Sequence, residues 1–107
     1  MPARSPKRAA PAHPGAVLLD DYLTPRGVTQ KEFADATGIS AVRVNQIVRG
    51  HRGVTPDTAL RFAKVLGTTP ESWLELQMSW ELHHAKRAAR AALTRLKPLR
   101  RSARVRR

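Results

Sequence analysis

Residues 28–50 read VTQKEFADATGISAVRVNQIVRG, two capped amphipathic segments joined by a three-residue corner. Thr29, with Glu32 three residues later, makes a capping box in which hydroxyl and carboxylate each satisfy an orphan backbone N–H. Val28 and Phe33 take the positions of a hydrophobic staple, which fixes the angle at which the chain enters the helix. Gly38 is suited to end this helix at positive φ, and Ile39 to lie buried beneath the turn. Ser40 then caps a second helix that runs to Gly50. So short a corner demands a close crossing, and Ala34, Gly38, Val44 and Ile47 supply the small and apolar surfaces for it.

Counted from Gln30, those four residues are positions 5, 9, 15 and 18 of the unit. The pattern resembles the helix-turn-helix repressors, which carry small, glycine, apolar and apolar residues at these places. The resemblance implies a recognition helix whose N-terminal half approaches base edges in the major groove of double-stranded DNA. With Val44 and Ile47 inward, the roughly 100° helical step turns Ala41, Val42, Arg43, Asn45, Gln46 and Arg49 outward. No acid lies between Ser40 and Gly50. Ala41 and Val42 match thymine methyls, while Gln46, and after it Asn45, can pair bidentately with adenine. Ser40, Arg43 and Arg49 suit phosphates, and Gln30, at the start of the preceding helix, suits another with help from the helix dipole. A solvated face accounts equally well for any one of these side chains; the helix-turn-helix context favours DNA for the group.

Outside this unit, residues 1–15 hold four prolines and three basic residues and read as a flexible basic arm. A helix is expected over Ala16–Leu23, with Val17, Leu18, Tyr22 and Leu23 apolar and a stop before Pro25 and Gly27. After the loop His51–Gly53, Thr55 and Pro56 open a fourth helix that closes at Gly67, with Ala59, Leu60, Phe62, Ala63 and Leu66 as its core face. Thr69 and Pro70 open a fifth. Taking Trp73 as zero, the helical step sets Leu76 and Trp80 on its side, and Leu74, Met78 and Leu82 roughly 100–180° away. One stripe can close the domain's own core. The other, Leu74, Met78 and Leu82, is expected to meet a partner, and a homodimer matches the two-fold symmetry of palindromic half-sites. Packing of both stripes within one chain is the alternative.

The chain carries 20 Lys or Arg against 8 Asp or Glu, a net charge of +12. This charge is unevenly placed. Residues 1–15 hold three basic groups and residues 86–107 hold ten, with no acid in either, while 16–85 has seven basic and eight acidic residues. The organisation expected is therefore an N-terminal arm (1–15), a nearly neutral DNA-binding domain (16–85) and a basic extension (86–107). The extension begins helical and is expected to lose order after Pro98. Basic ends add salt-dependent, sequence-independent attraction for phosphate backbones and no readout. An acidic membrane or protein surface is the competing destination for such charge.

Absence of cysteine excludes a disulfide framework, a thiolate nucleophile and a Cys-based zinc site. No apolar run reaches membrane-spanning length, and the first fifteen residues lack a hydrophobic signal core, so no membrane association and a cytoplasmic setting are expected. An enzyme lacks parts. His83 and His84 are adjacent on a helix and diverge by about 100°. His13 and His51 lie in loops with no spaced carboxylate or thiol to complete a metal site. Asp20 with Asp21, and Glu71 with Glu75, are expected early in their helices, where they favour the dipole. No cofactor or metal is expected.

The run HPGAVLLDDYLTPRGVTQKEFADATGIS, followed by VNQIVRGHRGVTPDTALRFAKVLGTTPESWLELQ, resembles the HigA family of antitoxins from type II toxin–antitoxin modules. His-Pro-Gly before the first helix and the tryptophan-bearing last helix are its hallmarks, and the likeness covers about two thirds of the chain. The resemblance implies an all-α, five-helix, lambda-repressor-like fold. It further implies a homodimer that represses its own operon and neutralises a RelE-like or HigB-like mRNA-cleaving toxin. The chain departs from the family in its long basic extension, which would repel a basic toxin lying close to it. A dimeric helix-turn-helix regulator without a toxin is the alternative function.

Overall fold

The computed structural model describes residues 10–100; the expected basic arm and tail lie partly outside these residues, at 1–9 and 101–107. Five helices and no strand occur among the described residues, in the all-α arrangement expected. Helix α1 covers 14–26 as three continuous segments: α-helical Pro14–Val17, a wider π-helical stretch Leu18–Leu23, and α-helical Thr24–Arg26. Then come α2 (Gln30–Thr37), α3 (Ala41–Val48), α4 (Pro56–Leu66) and α5 (Pro70–Thr94).

Helix α1 is longer than expected at both ends. His13 is its N-cap, with Nδ1 accepting from the Gly15 N–H at 2.9 Å. The His-Pro-Gly segment thus belongs to the packed domain, and the arm ends before it. The helix also passes through Pro25 instead of stopping short of it. Within the preceding stretch the backbone bonds five residues back, as from the Thr24 N–H to the Leu19 carbonyl, and this wider turn accommodates the ring. Gly27 then terminates the helix at φ 67°. Asp20 and Asp21 consequently sit in the middle of α1, not at its dipole-favoured start.

The core is a chain of aromatic contacts surrounded by aliphatic side chains. Phe33 of α2 meets Phe62 of α4 edge-on at 5.1 Å, Phe62 meets Trp73 of α5 at 5.2 Å, and Tyr22 of α1 leans on Trp73 at 5.5 Å. Val17, Leu18, Leu23, Val44, Ile47, Ala59 and Leu66 fill the space around them. Trp73 satisfies its indole N–H with the Thr68 hydroxyl at 2.8 Å, so its burial leaves no orphan donor. One expected core residue is not in the core: Leu60 is 59% exposed. Ala59, Phe62, Ala63 and Leu66 already fill the inward face of α4, and the helical step from Ala59 carries Leu60 past its edge.

Helix α5 is the longest element and outruns the body. Trp73 and Gln77 are buried, and Trp80 packs against the edge of His13 at 4.9 Å. Beyond His84 every described residue is exposed except the half-buried Ala89. The helix ends at Thr94, short of the expected limit at Pro98, because the residues preceding a proline are pushed toward extended backbone.

Candidate DNA-reading surface

The corner forms as its caps dictate. Thr29 Oγ1 accepts from the Glu32 N–H at 3.0 Å while Glu32 Oε1 accepts from the Thr29 N–H at 2.8 Å, completing the capping box. Phe33, Ala34 and Ile39 are buried, and Val28 packs on the core rim as the other half of the staple. Gly38 closes α2 at φ 77°. Arg61 of α4 donates from Nη1 to the Thr37 carbonyl at 3.0 Å, satisfying an oxygen that the end of α2 leaves open. Ser40 Oγ accepts from the Arg43 N–H at 3.1 Å and starts α3, and Gly50 ends it at φ 78°.

On α3, Val44 and Ile47 are fully buried, so the opposite side of the helix is the free one. Ala41, Val42, Asn45 and Arg49 are exposed, and Arg43 and Gln46 are half-buried with their polar ends on the same side. Val42, 68% exposed, is an apolar group held out in water at the helix N-terminal end. Every residue expected at the reading surface thus lies on or beside one outward face. Ser40 is the qualification, since its hydroxyl is occupied in capping.

Two contacts join residues that spacing alone treats separately. Asn45 Nδ2 donates to Gln30 Oε1 at 3.0 Å, tying α2 to α3 across the corner. Arg52 Nε donates to Gln46 Oε1 at 2.8 Å. Arg52, in the loop after α3, extends the cationic surface; the analysis of the sequence passed over it as loop. A cation three residues past Arg49 and flanked by Gly50 and Gly53 was the available signal.

The loop itself is anchored from below. Val54 N–H donates to buried Gln77 Oε1 at 2.7 Å, and Gln77 Nε2 reaches Glu81 at 2.8 Å. Gly15 lies against the Ile47–Val48 backbone, so α1 braces the C-terminal end of α3. Leu74 of the expected partner stripe is half-buried on the core, whereas Met78 and Leu82 are 60% and 51% exposed. No helix among the described residues is long and apolar enough to cross a membrane.

A family profile described as Helix-turn-helix matches residues 19–74, the span from α1 through the buried Trp73. The chain is 42% identical over 81 residues to virulence-associated protein I of Dichelobacter nodosus, covering 75% of each. It is 34% identical over 90 residues to antitoxin HigA-1 of Vibrio cholerae, covering 83% of this chain and 84% of that one. Among solved structures, the antitoxin HigA of Pseudomonas aeruginosa with the higBA promoter superposes with a TM-score of 0.80. Its identity is 33%, over 84% of this chain and 99% of that one. The chain therefore belongs to the HigA family of helix-turn-helix antitoxins from type II toxin–antitoxin modules.

Proposed function

We propose that this protein is a homodimeric antitoxin that represses its own operon through α3 and neutralises a RelE-like or HigB-like ribonuclease. The observation that carries the DNA half is the acid-free outward face of α3, with Ala41, Val42, Asn45 and Gln46 toward base edges and Arg43 and Arg49 toward phosphates. Gln30 supports the same surface from α2, and Ser40 supports it by starting α3. The P. aeruginosa relative, whose structure includes promoter DNA, agrees with that use of the fold. The Met78 and Leu82 face, with Leu74 at its inner margin, is assigned to the second copy. The toxin half rests on family membership, and the basic extension restricts where a basic toxin can dock.

The experiment is co-purification of the tagged full chain from cells expressing its neighbouring open reading frames. A small basic partner that arrests growth when expressed alone is the expected result. Specific binding to the chain's own promoter with no such partner would instead leave a toxin-free dimeric repressor. Absence of promoter binding would overturn the DNA half.

A further inference from the structure

The exposed face of α5 does not stop at Leu82. Met78, Leu82, Ala85, Ala89, Ala92 and Leu96 follow one another at spacings of four, three, four, three and four. This is the alternation of a coiled-coil seam. On the helix they form one apolar stripe opposite the side that carries Trp73 and Trp80 into the domain. Leu93 and Leu96, at its far end, are 50% and 68% exposed. The first half of α5 holds all its acids, Glu71, Glu75 and Glu81, and the second half only bases, Lys86, Arg87 and Arg90. A parallel copy would set like charge beside like charge; an antiparallel copy sets each acidic half beside a basic one.

We infer that α5 pairs with α5 of a second copy of this chain as an antiparallel, alanine-centred coiled coil. This rests on the homodimer reading above and deepens it. The seam places Met78 of one copy against Leu96 of the other, Leu82 against Ala92, and Ala85 against Ala89. Glu81 of one copy then flanks Arg95 of the other. Three alanines at the middle let the two backbones approach closely where the body of neither domain intrudes. The register also has a consequence for DNA. At 1.5 Å per residue, Trp73 and Gln77, the buried residues of α5, lie about 42 and 30 Å along the axis from their copies. Those separations bracket the one-turn half-site spacing of about 34–36 Å.

Because the chain has no cysteine, engineered thiols report the register without background. Met78→Cys and Leu96→Cys proteins are oxidised separately and as an equimolar mixture, after matching circular dichroism melts show that both are folded. A disulfide-linked dimer in the mixture and none in either single variant is the expected result. Ala89→Lys, in the exposed part of α5, is expected to shift sedimentation from about twice 11.9 kDa toward 11.9 kDa with the melt unchanged. Self-linking of Met78→Cys overturns the antiparallel arrangement. A dimer that neither links in the mixture nor responds to Ala89→Lys overturns the seam while leaving the homodimer reading in place. An unsubstituted chain that sediments as a monomer when bound to its operator overturns both.

Discussion

A Cβ on Gly15 would fall 1.8 Å from the Ile47 carbonyl oxygen and 2.8 Å from the Val48 Cα, both backbone atoms that no rotamer change can move. Gly15→Ala is therefore expected to cost about 3 kcal/mol, the upper end for overpacking, read as a drop in the midpoint of urea unfolding; a loss under about 0.5 kcal/mol would refute the close approach. The neighbouring His13 gives a pH dependence of definite sign. Burial holds its imidazole below the ordinary value of 6.5, with the Glu81 carboxylate opposing in part. A base depressed in the fold is stabilising above its unfolded pKa, and this contribution is lost as pH falls from there toward the folded value. The chemistry agrees, because Nδ1 needs its lone pair to accept from the Gly15 N–H. Acidification from pH 7.5 to 5.5 should lower the melting temperature, and His13→Asn, which can still cap, should flatten that decline. The sequence marks His-Pro-Gly as a family signature but does not reveal this role. Its partners, Ile47 and Trp80, are distant along the chain, and only packing brings them together.

At the level of elements, the capped corner was almost wholly legible, since each of Thr29, Glu32, Gly38 and Ser40 acts within four residues of its own position. The first helix was misjudged at both ends for the converse reason. Its cap is an unusual histidine, and its proline is accommodated by a widened turn that local propensity does not announce. The outward face of α3 was legible from periodicity, yet the Asn45–Gln30 and Gln46–Arg52 contacts were not, because they depend on side-chain rotamers. That second contact refines the expectation for Gln46. Its oxygen already accepts one hydrogen bond, so its amide orientation is set before DNA arrives. Gln46→Ala should cost about 1–3 kcal/mol on the operator and relax discrimination at one base pair. Titration against operator and scrambled duplex checks this, and an equal loss on both would remove Gln46 from the readout.

Across the molecule, charge and structure divide differently. The body is nearly neutral, whereas the basic groups of 86–107 begin on the protruding half of α5 and continue past its end. Removing residues 98–107 should weaken binding to operator and random DNA alike and flatten the dependence of log affinity on log salt; a loss confined to the operator would give the tail a part in readout instead. The net charge thus described the ends of the chain, while hydrophobic period and caps described its centre. One tie between distant parts has a consequence in time. The DNA-reading corner is complete in sequence at Gly50, but the Val54 N–H behind it finds its acceptor only in Gln77, and the aromatic row closes only with Trp73. A nascent chain emerging from the ribosome therefore carries the reading helix well before it can hold that helix rigid. Messages cut or stalled ahead of codon 77 yield fragments unable to occupy the promoter, so repression counts only finished copies.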